Sequence, residues 1–193
     1  MEFFLVSTGI VALAEMGDKT QLLSLVLAAK FRRPMPIILG ILVATLLNHA
    51  LAGAVGAWLT TILGSDALRW ILGLSFLAMA VWIMIPDKLD SCESDVSVNR
   101  YGIFATTVLV FFLAEMGDKT QIATIALAAQ YASLFWVVAG TTLGMMIANV
   151  PAVLIGDKVA HQLPLKLIHA IAAAIFAVLG ILALMGIGQS VLQ

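Results

Sequence analysis

In this chain of 193 residues, 62% are hydrophobic and only 11% carry charge, against about 25% charged in an average soluble domain. A soluble domain of about 150 residues buries only about 70% of the surface its unfolded chain exposes, so a water-soluble fold could not conceal this apolar content, and the scarcity of charge excludes disorder. The net charge of −1 offers nucleic acid no basic face, and the single cysteine, Cys92, can make neither an intramolecular disulfide nor a cysteine metal site.

An all-α polytopic membrane protein is the class that remains. The opening Met1-Glu2-Phe3-Phe4 lacks a positive n-region, and no small-residue cleavage pattern precedes Glu15, so the first apolar segment is expected to be retained. A bilayer-crossing helix needs about 20 mostly apolar residues. Six stretches qualify, near 3–29, 36–63, 70–86, 102–129, 135–156 and 167–187. Their apolar residues run on without alternation, which favours helices over transmembrane strands. Six crossings place the loops 30–35, 86–101 and 157–166 on one side, with Lys30, Arg32, Arg33, Lys88, Arg100, Lys158 and Lys166, whereas Arg69 lies on the other. That excess makes the basic side cytoplasmic and leaves both termini outside. Trp58, Trp70, Trp82 and Trp136 fall near the expected span ends, as interfacial aromatics should.

Residues 13–21 and 113–121 both read LAEMGDKTQ, nine consecutive identities at an offset of one hundred. The same offset pairs Gly40 with Gly140, Gly56 with Gly156 and Phe76 with Phe176. The chain therefore divides into a three-helix unit at 1–86, a charged cytoplasmic linker at 87–100 and a second three-helix unit at 101–193. Three is odd, so the second unit should enter the bilayer from the opposite side, as an inverted repeat with its site near the midplane.

Each motif sets Glu15, Asp18 and Lys19, or Glu115, Asp118 and Lys119, about halfway along a span. A central charge costs about 2.5–3.5 kcal/mol on insertion scales, and such groups normally face a polar cavity or one another. On a continuous helix the i,i+3 spacing puts Glu15 and Asp18 on one face, with Lys19 able to pair with Glu15 at its edge. Gln21 and Thr20 add neutral oxygens, and Gly17 allows close contact or a local opening of the backbone. The second set, Glu115, Asp118, Thr120 and Gln121, should face the first across a pseudo-two-fold axis. Four carboxylates against two lysines leave a charge that one divalent cation would neutralise. Hard oxygen donors without Cys or His suit Mn²⁺, Ca²⁺ or Mg²⁺. With no cation bound, crowded buried carboxylates should hold protons. Competition between the two is the minimal machinery of a cation/proton exchanger, with no tightly bound cofactor. Asn48 and Asn149 either complete the coordination shell or make interhelical hydrogen bonds, and His49 either relays protons or is a satisfied core group. Pro151 should kink the fifth span.

At LAEMGDKTQ in both halves the sequence closely resembles the Glu-x-Gly-Asp-Lys-Thr/Ser family of cation/proton exchangers. That family includes Golgi and chloroplast manganese/calcium transporters and bacterial MneA-like manganese exporters. The resemblance spans essentially the whole chain. It implies that Glu15, Asp18, Glu115 and Asp118 bind the cation and exchange protons, and that a chain of this length exports Mn²⁺ across a prokaryotic inner membrane. A passive cation channel could share the same carboxylates, and an exporter of a small organic cation or amino acid would use Lys19 or Lys119 for a carboxylate. An intramembrane aspartyl enzyme fits less well, since the adjoining lysine should hold each aspartate ionised instead of sharing a proton. Mn²⁺ and Ca²⁺ both accept this ligand set.

Overall fold

The structure, a computed structural model, describes residues 2–85, 102–131, 133–155 and 165–186. All regular structure among them is helical: α1 (Glu2–Glu15), α2 (Lys19–Phe31), α3 (Pro34–Ile62), α4 (Ser65–Trp82), α5 (Gly102–Glu115), α6 (Lys119–Tyr131), α7 (Leu134–Ile155) and α8 (Leu165–Leu184). The linker, with Cys92 and Lys88, and the loop residues Arg100 and Lys158 lie outside the described residues, as does Gly156.

Four helices, α3, α4, α7 and α8, are each long and apolar enough to cross a membrane. The exposure pattern is inverted relative to a soluble protein. Leu46, Leu47, Leu51, Trp58, Val81 and Leu154 are exposed, whereas Glu15, Glu115, Thr45, Asn48 and Asn149 are fully buried. Apolar surroundings suit that arrangement, because lipid solvates the leucines while the polar groups are kept out of it in the interior.

The expected continuous spans at 3–29 and 102–129 are instead each two helices, interrupted at Met16–Asp18 and Met116–Asp118. Gly17 has φ +83° and Gly117 φ +76°, a left-handed backbone open to glycine at no steric cost. Asp18 then turns extended, at φ −81° and ψ 170°, before α2 begins. The third span starts earlier than hydropathy suggests. Gly64 and Ser65 begin α4, and the charged Asp66 and Arg69 lie in its first turns as an i,i+3 pair at 3.9 Å. Hydropathy marks the apolar window, but a helix starts at its cap. Pro151 sits inside α7 without dividing it.

Packing repeats at the offset of one hundred. The most extensive contacts join α1 to α7 and α4 to α8, and the equivalent of the first, α3 on α5, follows closely. The matching extends to atoms. A Cβ on Gly40 would lie 2.7 Å from Thr107 Cβ and 3.1 Å from the Phe104 carbonyl; one on Gly140 would lie 3.0 Å from Ser7 Cβ and 2.5 Å from the Phe4 carbonyl. Phe4 and Ser7 are the offset mates of Phe104 and Thr107. Phe76 and Phe176 likewise meet each other, ring centroids 6.1 Å apart, in the α4–α8 contact.

Candidate functional site

Both interruptions carry the same sequence, and each is held open by the same hydrogen bonds. The Gly17 N–H donates to Gln21 Oε1 at 2.9 Å, and the Gly117 N–H to Gln121 Oε1 at 2.8 Å. Thr20 Oγ1 donates to Glu15 Oε2 at 2.6 Å, and Thr120 Oγ1 to Glu115 Oε2 at 3.0 Å. The glutamines thus stitch the broken backbone, and the threonines fix one oxygen of each glutamate. Gln21 Nε2 in turn donates to the Ala148 carbonyl of α7 at 2.9 Å.

Breaking the helix changes how the charges pair. The expected Lys19–Glu15 contact assumed an unbroken turn, and the Gly17 kink removes that geometry. Each lysine instead reaches across to the other half. Lys119 Nζ lies 2.8 Å from Asp18 Oδ1, both deeply buried, and Lys19 Nζ lies 3.6 Å from Asp118 Oδ1. The i,i+3 face shared by Glu15 and Asp18 is likewise lost at the break.

Glu15, Glu115 and Asp118 each present a carboxylate oxygen, and these oxygens all lie within 4.8 Å of one another, fully buried. Glu15 Oε1, Glu115 Oε1 and Asp118 Oδ2 have no hydrogen-bond partner among the described residues. Three buried carboxylates this close, each with one oxygen lacking a donor among the described residues, are electrostatically unfavourable unless a cation or protons join them.

The other polar candidates separate. Asn48 donates through Nδ2 to the Phe112 carbonyl at 3.1 Å, leaving Oδ1 without a partner among the described residues. Asn149 is engaged at both ends, accepting from Ser24 Oγ at 2.7 Å and donating to the Met145 carbonyl at 3.1 Å. His49 is fully buried with no partner for either ring nitrogen among the described residues. Sequence reasoning did not single out Ser24, nor His169, whose Nε2 lies 2.6 Å from the Met16 carbonyl at the first break. The offset of one hundred was the available signal for His169, since its mate is Arg69, a charged residue near a helix start.

The two breaks differ in cover. Met116 is 52% exposed and Gly117 is exposed, whereas Met16 and Gly17 are only half-exposed. The Lys19 side chain is 22% exposed against 4% for Lys119.

A family model described as "Divalent cation/proton antiporter GDT1" matches residues 3–91 and 103–190, one segment in each half. A Vibrio cholerae protein named "Putative manganese exporter" is 53% identical over 182 residues, covering 94% of this chain and 90% of its own length. A GDT1-like protein of Synechocystis is 30% identical over 184 residues, covering 86% of this chain and 89% of its own. "GDT1-like protein 3" of rice is 27% identical over 196 residues, covering 88% of this chain and 69% of its own. No solved structure matches.

Proposed function

Since the chain belongs to the GDT1 family of divalent cation/proton antiporters, and is therefore a membrane transporter of divalent cations and not an enzyme, we propose that it exports Mn²⁺ from the cytoplasm in exchange for protons. The observation that carries this reading is the convergence of Glu15, Glu115 and Asp118 within 4.8 Å, buried, with no donor to three of their oxygens. Four motif carboxylates and two motif lysines leave two negative charges, which one divalent cation or two protons balance. Oxygen ligands alone favour Mn²⁺, Ca²⁺ or Mg²⁺ over softer metals, and the name of the Vibrio cholerae relative favours Mn²⁺.

In this reading the broken segments 2–31 and 102–131 each make one crossing. With α3, α4, α7 and α8 they give six crossings, arranged as two inverted three-helix repeats in a bacterial plasma membrane. At about 1.5 Å per residue, the 14 residues of α1 and the 13 of α2 place the break near the middle of a hydrocarbon layer about 30 Å thick. Lys30, Arg32, Arg33 and Lys166, all exposed, face the cytoplasm by the positive-inside rule, with both termini outside. Cation and protons compete for Glu15, Glu115 and Asp118, while the Asp18–Lys119 and Lys19–Asp118 pairs tie the two motifs together.

Proteoliposome flux under an imposed pH gradient tests this, with Mn²⁺ and Ca²⁺ run in parallel for wild type, Glu15→Gln and Asp118→Asn. The expected result is gradient-driven Mn²⁺ movement, lost by at least a hundredfold in both variants. Flux indifferent to pH would make the protein a channel, and flux surviving both substitutions would remove the acids from the transport step.

A further inference from the structure

The two breaks are identical in sequence and share the glycine N–H to glutamine and threonine to glutamate hydrogen bonds, but Gln21 Nε2 donates to the Ala148 carbonyl and Gln121 Nε2 to Met116 Sδ, so their cover follows the packing around them. The α4–α8 pair is one element that packs on the two breaks unequally. α8 packs on α1 and α4 packs on α6, while the equivalent contacts, α4 on α5 and α8 on α2, are marginal or absent among the described residues. The pair is itself tightly joined. A Cβ on Gly180 would lie 2.9 Å from Leu77 Cγ and 3.0 Å from the Gly73 carbonyl, and Phe76 meets Phe176. The α1–α7 and α3–α5 contacts, matched down to their glycines, form the frame the pair sits on.

The pair shares an apolar cluster with Ile10 and Ala14 of α1, and it also makes one polar contact at the covered break itself. The Met16 carbonyl is released by the helix interruption, and His169 Nε2 lies 2.6 Å from it. A carbonyl only accepts, so Nε2 carries the hydrogen. At the open break Met116 is exposed, and Arg69, the mate of His169, points elsewhere. It pairs with Asp66 at 3.9 Å, sits 5.9 Å from the Trp70 ring centroid and runs beside Gly186. Its Nε is buried without a hydrogen-bond partner among the described residues. The opening beside Lys19 leads to water and not to lipid, because an ammonium facing hydrocarbon costs several kcal/mol.

We propose that α4–α8 is the gate, and that His169 and Arg69 are its two positioning residues. His169 on the Met16 carbonyl holds the arrangement seen here, with the site open beside Met116 and Lys19. Arg69 on the Met116 carbonyl holds the opposite one, with the pair over α5 and α2 and the site open beside Met16 and Lys119. The proposal rests on the reading of the chain as an alternating-access exchanger with inverted repeats.

Cross-linking tests it without measuring transport. In a Cys92→Ser background in membranes, a bifunctional methanethiosulfonate of about 8–10 Å should join Met16→Cys to His169→Cys, and in a second variant Met116→Cys to Arg69→Cys. Both products are expected. Failure of the second pair to react while the first does, or failure of both, overturns the proposal. A second arm reads the labelling rate of Met116→Cys by a polar maleimide. One neutral hydrogen bond is lost in His169→Ala, so the ratio of Met116→Cys to Met16→Cys labelling should fall roughly three- to tenfold. His169→Gln keeps a donor and should restore the wild-type rates, whereas rates unmoved by His169→Ala would refute the latch. Because no arm depends on flux, loss of proton coupling in proteoliposomes would be seen separately from failure of the gate.

Discussion

The two LAEMGDKTQ segments show how little of a site's environment its own residues specify. The first has its break half-covered and capped by His169, and its Asp18 is held at 2.8 Å by a buried lysine. The second has an exposed break, and its Asp118 lies 3.6 Å from a lysine that is 22% exposed. Nine identical residues cannot encode that difference. It goes with the packing of the α4–α8 pair, which among the described residues sits against α1 and α6 and at most marginally against their offset mates.

Substitutions at the two lysines should break the comparison most sharply. Lys119→Met removes the 2.8 Å ion pair of a buried Asp18 and should cost about 3–5 kcal/mol of stability. Lys19→Met removes a longer contact, 3.6 Å, made to a buried Asp118 by a lysine that is itself 22% exposed, and should cost less than Lys119→Met. Thermal unfolding in detergent of the two variants side by side measures the gap, and equal shifts would mean the asymmetry does not persist in solution.

The glycine contacts should behave in the opposite way. Gly40→Ala and Gly140→Ala each drive a methyl into the matching wall, Thr107 with Phe104 or Ser7 with Phe4. Each should destabilise by about 1–3 kcal/mol, and by similar amounts, because the frame is alike in both halves. Unequal losses would show that the frame, too, is asymmetric.

The smallest effects belong to the threonines. Thr20→Val and Thr120→Val each remove one hydroxyl donor from a glutamate, a change of about 1 kcal/mol. Apparent Mn²⁺ affinity in the flux assay should shift only several-fold, slightly more for Thr20, whose bond is 2.6 Å against 3.0 Å. Complete loss of transport in either variant would make the hydroxyl an ion ligand instead of a prop for the carboxylate.

Composition alone determined that this is a helical membrane protein, because no soluble core could hold so much apolar surface. The offset of one hundred determined the repeat and picked out the six charges, since ionisable groups in apolar segments have few neutral explanations. Only the tertiary structure decided how those charges are used. Helical spacing put Lys19 beside Glu15 on the premise of an unbroken helix, and the left-handed Gly17 and Gly117 cancel that premise. The lysines then reach across to Asp118 and Asp18, contacts about one hundred residues apart that no local pattern can reveal. Asn149, from sequence either a ligand or an interhelical bridge, has both ends of its amide engaged, by Ser24 and Met145. The unequal cover of the two motifs lies furthest from the sequence. It depends on the packing of α4 and α8 against α6 and α1, long-range contacts that two identical motifs cannot specify.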